Sequence, residues 1–502
     1  MGSVYPPGRA RNRNSYGRLA VLEDANFSSQ PAKKTQEFLA RRLFIGALAV
    51  CGLISVALYN GYPTVFSDTG GYLLTGKYFV ALAPFRAAGY AVFTYITSLG
   101  ISAWYIVVAQ AVIVVYVLYE ACIFLVDGDR RFADLCFLAT VCALVALTSL
   151  PWLVSLVMPD VFAAVLFMCA FLLTFASELG LARQIALTAI FAVSAAAHSS
   201  LVPIAILFVA ALLILRPFGN SPMPQFPARS VLGWLLVPIL AAGFLTAELN
   251  REMGLGFVTS PSRNAFLLAR LFGDGLASDF LHDNCPQSHL ISCRYLSHLP
   301  TSQEHFLFWD PLYPELRNGH QDEMEKIVRG TIQAYPLRFA IDSAKDTLLQ
   351  LVNFRTGDEI RSFGAREWNN GVIPRVFPGD SQAFVNSREY HDRMLPLANA
   401  ASLLDTAVFW ASLAICLLIA GSRRFERVNL FFYSALAYLA INAAVCATFA
   451  GVYDRYQNRV AWMIPFCLSG YIGCYVKNWK PWANIEEANV EVEVEELEAG
   501  VE

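Results

Sequence analysis

Residues 102–126, SAWYIVVAQAVIVVYVLYEACIFLV, form an apolar run that is long enough to cross a bilayer. A membrane-spanning helix needs roughly 20 consecutive and mostly apolar residues. Over the whole chain of 502 residues, 56% are hydrophobic and 15% are charged, whereas soluble proteins carry about 25% charged residues. The composition is therefore typical of a polytopic membrane protein. With 37 Lys and Arg against 40 Asp and Glu, the net charge gives no indication of nucleic-acid binding.

Ten apolar runs of this kind are candidate membrane-spanning helices. They lie at about 43–61, 102–126, 133–151, 160–178, 183–198, 200–216, 230–249, 402–421, 429–449 and 459–476. The fifth and sixth are short and are separated by only three residues, 198–200. These two runs form either a tight helical hairpin or a partly re-entrant segment.

Basic residues indicate the orientation, because short cytoplasmic loops are enriched in Lys and Arg. Basic residues occur in the N-terminal tail and then in alternate connections, at Arg130, Arg131, Arg183, Arg216, Arg229, Arg423, Arg424, Arg427, Lys477 and Lys480. Both termini are therefore predicted to be cytoplasmic. Residues 1–42 are predicted to be a disordered basic tail without a cleavable signal peptide. Residues 477–502 are predicted to be a solvated acidic tail.

The longest hydrophilic segment, 250–401, lies on the non-cytoplasmic side in this orientation. It separates a transmembrane core, 43–249, from the last spans at 402–476. Apolar residues at helical spacing in 262–280 and 322–354 predict a mainly helical external domain between spans seven and eight. Cys285 and Cys293 lie in this segment and are predicted to form a disulfide. Its histidines match no zinc-binding spacing. The predicted fold is thus an all-α polytopic membrane protein with about ten transmembrane helices.

Several polar residues mark the outer ends of the spans. They are Asp68 in FSDTGGYL (66–73), Arg86 and Tyr90 in PFRAAGY (84–90), Asp160, His198 and Arg455. An ionisable residue at the edge of a membrane-embedded protein is costly to keep and is a functional candidate by default.

Each of these residues also has a purely structural interpretation. Asp68 and Asp160 stand where they could cap helices. Arg86 could extend its head group to the membrane interface, Arg455 could pair with Asp454, and His198 could occupy a tight turn. The surrounding stretch 81–100 is predicted to be an amphipathic helix in the outer interface. The alternative, a separate short span there, would reverse the sidedness of every later loop.

The order and sidedness of these residues resemble membrane glycosyltransferases of the GT-C superfamily, which use polyprenyl-phosphate-linked sugars. The similarity covers spans one to six and nine to ten, whereas 250–401 matches no subfamily. An Arg-Pro-Pro-Gly-Tyr-like element of the family is similar to Arg86–Tyr90, although both prolines are missing here. The other similar elements are Phe66–Leu73, Met158–Val161, Ala197–Ser200 and Asp454–Tyr456.

The resemblance implies a reaction and a set of roles. It implies an inverting transfer of a sugar from a polyprenyl-phosphate donor to an envelope lipid, glycan or protein on the outer face of the membrane. Asp68 would act as general base. Asp160 would be a second carboxylate that positions the acceptor or, with Asp68, holds Mg²⁺ or Mn²⁺. Arg86 and Arg455, with His198 and Tyr90, would bind the donor.

The absence of an endoplasmic reticulum retention signal favours a bacterial inner membrane with a periplasmic active face. Two other functions stay open at this point. One is a transporter or flippase of lipid-linked substrate, although the charges cluster at span ends and no internal repeat is visible. The other is a polysaccharide polymerase or ligase with different site residues.

Overall fold

The structure is a computed structural model that describes residues 30–80, 86–126, 130–176, 179–215, 232–357, 360 and 362–478. Every regular element in these ranges is helical. The single β-type contact described there is an isolated parallel bridge between Thr64 and Leu156. The prediction of an all-α chain is confirmed for this part of the molecule.

Five helical stretches are long and apolar enough to span a membrane. They are Trp104–Leu125, Leu232–Glu252, Leu395–Ile419, Arg423–Phe449 and Asp454–Lys477. Three shorter apolar helices are Pro159–Phe175, Leu181–Ala197 and Leu201–Ile214. All eight coincide with predicted spans, but only five reach the length of a full crossing. The total of about ten spans therefore stays a prediction.

Two predicted spans are interrupted by breaks that hydropathy does not detect. The run predicted at 43–61 consists of the helices Gln30–Leu53 and Ser55–Asn60. The run predicted at 133–151 consists of the helices Arg130–Leu147 and Leu150–Ser155. Pro151 stands in the first turn of the latter, where its missing N–H does no harm, whereas in the middle of a longer helix it would remove a hydrogen bond.

The helix Gln30–Leu53 begins inside the segment predicted as a disordered tail, 1–42. Pro31 stands in its first turn, and a fixed φ near −65° makes proline well suited to start a helix. The rest of that predicted tail, 1–29, lies outside the described residues. So does nearly all of the predicted acidic tail, from residue 479 onwards.

The helix Phe162–Phe175 lies at the centre of the bundle formed by residues 48–478. All its residues from Phe162 to Thr174 are buried. Phe167 packs against the rings of Phe208, Phe431 and Tyr438, which lie on two other helices. A helix that is apolar on every side must be enclosed on every side. The turn that leads into it, Pro159–Val161, therefore places Asp160 inside the bundle.

Helices also dominate the segment predicted as an external domain. They are Arg263–Gly273, Leu276–Asn284, Leu312–Arg317, Gln321–Ala334, Pro336–Val352, Ser362–Val376 and Ser381–Val385, with short turns at Cys285–Gln287, Ile291–His298, His305–Trp309 and Pro378–Asp380. The part from Ala265 to Val328 has a hydrophobic cluster of its own. Cys285 and Cys293 form a disulfide in it, with Cα atoms 5.4 Å apart.

Five further helices of the described residues lie next in sequence to the polar residues that were predicted for the site. They are Thr69–Tyr78, Ala88–Ser98, Glu426–Phe449, Asp454–Ala461 and Met463–Lys477. The helix Ala88–Ser98 lies in the stretch 81–100 that was predicted to be helical, and residues 81–85 lie outside the described ranges. It packs closely on a neighbour, since a Cβ added to Gly89 would stand 2.1 Å from the Ala196 carbonyl oxygen.

Candidate functional site

Two loops run side by side at the N-terminal end of the central helix Phe162–Phe175. The backbone N–H of Val157 donates to the Thr64 carbonyl at 3.0 Å, and the Thr69 hydroxyl donates to the Val157 carbonyl at 3.0 Å. The first loop carries Asp68 and the second leads into Asp160. Backbone hydrogen bonds therefore bring the two predicted carboxylates to the same region of the molecule.

Asp68 occupies the position before the first residue of the helix Thr69–Tyr78, but its side chain caps no backbone N–H group there. Its carboxylate instead forms a close ion pair with the guanidinium group of Arg86. The other oxygen, Oδ2, lies 3.5 Å from Nη1 of Arg455. The Asp68 side chain is 17% exposed. It is therefore held by two cations and still accessible from one side.

Arg455 connects the two predicted carboxylates. Its Nε lies 3.7 Å from Oδ1 of Asp160, while Nη1 faces Asp68. The guanidinium group also lies over the rings of Phe66 at 5.0 Å and Tyr456 at 5.4 Å. Such stacking suits the planar guanidinium group of arginine and not the compact ammonium group of lysine. The helix Asp454–Ala461 thus directs Arg455 between two acids that are distant in sequence.

Asp160 is buried more deeply than Asp68, with 2% of its side chain exposed. It lies in the turn Pro159–Val161 and does not cap the helix that follows. Neither carboxylate oxygen has a hydrogen-bond partner among the described residues. Burying an ionised carboxylate is expensive unless a counter-charge lies nearby. Asp160 and Arg455 therefore depend on each other electrostatically.

Arg459, one helical turn after Arg455, was not predicted as a site residue. Its side chain is fully buried. It donates to Asn442 Oδ1 at 2.8 Å and to Ser200 Oγ at 3.1 Å, and Nη2 lies 3.2 Å from Cys446 Sγ. No carboxylate pairs with it in the described part of the chain, and its Nη1 has no hydrogen-bond partner there. Buried cations are usually paired, so this group has spare capacity for an anion.

His198 joins the cluster through a hydroxyl group. Its Nδ1 lies 2.9 Å from Ser200 Oγ, which also accepts the hydrogen bond from Arg459. The histidine follows the last residue of the helix Leu181–Ala197. The turn between the fifth and sixth predicted spans thus contributes to the same region, as the order of polar residues in the sequence predicted.

Tyr90 lies behind the cluster and not in its open side. It is fully buried and donates from its hydroxyl to Gln110 Oε1 at 2.7 Å. Its ring packs edge-on against Tyr72, with centroids 5.0 Å apart. Tyr90 is therefore held by packing and by a hydrogen bond, and the substrate contact that was predicted for it stays a prediction.

The cluster holds more positive than negative groups. In the described part of the chain, the carboxylates of Asp68 and Asp160 pair with the guanidinium groups of Arg86 and Arg455, and a third guanidinium group, that of Arg459, is held nearby by Asn442 and Ser200. Guanidinium groups match the geometry of phosphate oxygens and remain charged at any physiological pH. The arrangement is therefore suited to bind an anion next to a reachable carboxylate.

A divalent cation does not fit this donor set. Within the described ranges, no group of three or more His, Cys, Asp or Glu side chains could hold a metal ion. Asp68 and Asp160 are instead both paired with Arg455. Mg²⁺ prefers near-octahedral oxygen ligands, and a guanidinium group between the carboxylates opposes that arrangement. The two carboxylates are therefore arranged to pair with arginine and not to hold Mg²⁺ or Mn²⁺.

Three polar residues of the segment 369–389 hold the loop that carries Asp68. Asp380 Oδ2 accepts from the Tyr62 hydroxyl at 3.0 Å, and Asn369 donates to the Phe66 carbonyl at 3.0 Å. Glu389 Oε2 accepts from the Val65 backbone N–H at 3.1 Å. Because these partners are separated by about 300 residues in the chain, no sequence motif could have identified them.

The carboxyl group of Glu389 has a perturbed pKa. Burial raises the pKa of its carboxyl to about 8, and the hydrogen bond from Val65 opposes that rise. The carboxyl is therefore mostly protonated at neutral pH and can hold the loop without adding a charge. The segment 369–389 thus fixes the loop backbone three residues before Asp68.

Comparison of the chain with protein-family models, with curated proteins and with solved structures found no match.

Proposed function

We propose that the chain is an integral membrane glycosyltransferase that moves a sugar from a polyprenyl-phosphate donor to an envelope lipid, glycan or protein. The observation that carries the proposal is the cluster itself. A reachable carboxylate, Asp68, lies beside arginines that exceed the acids in number. Transfer from a lipid phosphate needs both a base for the acceptor and cations for the departing phosphate.

In the proposed reaction, the acceptor hydroxyl attacks the anomeric carbon of the donor sugar. Asp68 takes the proton of that hydroxyl as the new carbon–oxygen bond forms. The bond between the anomeric carbon and the phosphate oxygen breaks at the same time, and the phosphate leaves with the electron pair. A single displacement of this kind inverts the configuration at the anomeric carbon.

The arginines stabilise the departing phosphate in this scheme. Arg86 and Arg455 contact the two carboxylate oxygens of Asp68, and the buried Nη1 of Arg459 has no hydrogen-bond partner among the described residues. Preorganised donors aimed at developing charge are among the largest contributions to catalysis. Asp160 is too deeply buried to reach an acceptor, and its role is to orient Arg455.

The membrane arrangement is part of the proposal. We place about ten spans in a bacterial inner membrane, with both termini in the cytoplasm and the segment 250–401 attached on the periplasmic side. The alternation of basic connections supports this orientation. It puts the arginine cluster at the outer face, where a lipid-linked sugar presents its phosphate.

The test uses purified protein in proteoliposomes, supplied with polyprenyl-phosphate sugars or with nucleotide sugars as donors. The proposal predicts release of polyprenyl phosphate and a glycosylated acceptor only with the lipid-linked donors. Movement of intact lipid-linked sugar across the bilayer without transfer would contradict it and favour a flippase. Growth of a glycan from lipid diphosphate donors alone would favour a polymerase.

A further inference from the structure

The helix Pro336–Val352 carries apolar side chains on the side that faces away from the protein. Leu337 is 72% exposed, Ile341 57%, Leu348 67% and Val352 54%. Their spacing places them on one face of the helix. With a rise of about 1.5 Å per residue, this apolar stripe is about 22 Å long.

The polar side of the same helix faces the protein. Gln350 is buried, and its side chain donates to the Tyr453 carbonyl at 2.8 Å and accepts from the Tyr453 N–H at 2.9 Å. Asp346 accepts from the buried guanidinium group of Arg270 at 3.1 Å. A helix at a water-exposed surface has the opposite arrangement, with its apolar face inward.

The chain after this helix reaches the apolar part of a candidate span. The ring of Phe354 packs against Phe409 and Trp410, with centroids 4.6 Å and 6.4 Å apart. Phe409 lies in the helix Leu395–Ile419, about 21 Å along the axis from its first residue at the usual helical rise.

The chain then returns along the same helix towards its beginning. The Thr356 N–H donates to Ser402 Oγ at 3.2 Å, and a Cβ on Gly357 would lie 2.7 Å from that of Ala398. After the helix Pro336–Val352, the chain therefore contacts the middle of the helix Leu395–Ile419 at Phe354 and then turns back towards the first residues of that helix.

We propose that residues 336–357 form a re-entrant segment whose apolar stripe contacts the acyl chains of the outer leaflet. The occupant of the stripe is the lipid bilayer, since the helix packs along Glu426–Phe449 of the candidate span Arg423–Phe449, and Phe354, just after the helix, contacts the candidate span Leu395–Ile419. The exposed Lys345 flanks the stripe, where a long cationic side chain can reach phosphate head groups.

Contact of residues 336–357 with lipid is a property separate from the proposed sugar transfer and does not depend on it. If residues 336–357 lie in the membrane, the external domain predicted at 250–401 does not include them. The segment has a direct connection to the arginine cluster. Gln350 holds Tyr453, two residues before Arg455, so the seating of this helix in lipid would fix the start of the helix that carries Arg455.

Site-specific photocrosslinking tests the inference in full-length protein reconstituted in phosphatidylethanolamine and phosphatidylglycerol vesicles. The photoreactive residue p-benzoylphenylalanine replaces Leu348 or Ile341, both of which point away from the protein. The positive control is Leu418, 87% exposed on a candidate span. The negative control is Arg294, whose side chain is 74% exposed in the Ala265–Val328 part.

We expect a lipid adduct at Leu348 and at Ile341, at the level found for Leu418, and no lipid adduct at Arg294. Mass spectrometry of the labelled peptide distinguishes lipid from protein adducts. Crosslinking of Leu348 to a second copy of the chain or to another protein would overturn the proposal. So would the absence of any adduct, as at Arg294, because the stripe would then face water. None of these readouts requires sugar transfer.

Discussion

Replacing Arg459 with methionine tests whether the buried arginine binds the donor phosphate. The change removes a fully buried guanidinium group that has no acidic partner among the described residues. A hydrogen bond to a charged group contributes about 1.5–3 kcal/mol. Since about 1.4 kcal/mol corresponds to a factor of ten, kcat/KM for the lipid-linked donor should fall by about 10- to 150-fold.

The same substitution has a structural cost that must be measured separately. The hydrogen bond from Arg459 to Asn442 Oδ1, 2.8 Å long, would be lost. Leaving a buried acceptor without a partner costs about 1–3 kcal/mol, so the thermal unfolding temperature should also fall. Arg459→Lys keeps the charge but not the planar group, and it should recover part of the activity.

Kinetics with varied donor concentration distinguish the two effects. Loss of folded protein lowers the amount of active enzyme without changing KM, whereas loss of a phosphate contact changes kcat/KM of the folded fraction. Arg294→Met, at an exposed position, is the matched control and should behave as wild type. If Arg459→Met retained wild-type kcat/KM, the assignment of Arg459 to the phosphate site would be refuted.

Three further predictions concern stability. Because the pKa of Glu389 is raised to about 8, the folded state binds its proton more tightly than the unfolded state. The contribution of this carboxyl to the free energy of unfolding is complete below about pH 4.5 and falls by about 1.4 kcal/mol per pH unit up to about pH 8. The unfolding temperature of Glu389→Gln should therefore depend less on pH than that of wild type. The disulfide between Cys285 and Cys293 closes a loop with a sequence separation of 8, and replacing both cysteines with serine should lower the free energy of unfolding by about 2.5 kcal/mol in denaturant titrations. Gly89→Ala should destabilise by about 1–3 kcal/mol in thermal unfolding through a clash with the facing helix, whereas Gly243→Ala, with nothing within 4 Å of the added Cβ, should not.

The membrane helices were predictable because hydropathy and length are local properties of the sequence. All five helices with full crossing length coincide with predicted spans. Helix breaks were not predictable in this way. The break between Leu147 and Leu150 lies inside a continuous apolar run, and neither the average hydropathy nor the basic-residue pattern responds to it.

Part of the candidate site followed from sidedness alone. Asp68, Arg86, Asp160 and Arg455 were predicted on one face of the membrane, and the structure pairs them directly. Arg459 was not among the residues predicted for the site. Its position four residues after Arg455 would have indicated it, since residues four apart lie on the same helix face.

The residues that hold the Asp68 loop could not have been found from the sequence. Glu389 contacts Val65 across 324 positions, and Asp380 contacts Tyr62 across 318. Each looks like an ordinary acid of a hydrophilic segment. Only the folded chain reveals that both are buried.

The measurement that tests the central claim most directly is the transfer rate of Asp68→Asn with a saturating lipid-linked donor. Asparagine keeps the shape of the side chain but cannot accept the proton of the acceptor hydroxyl. General-base catalysis contributes about 10²- to 10⁴-fold, so the rate should fall by that factor. Asp322→Asn, at a side chain 71% exposed on a distant helix, is the control. Undiminished transfer by Asp68→Asn would contradict the proposal that this carboxylate is the base.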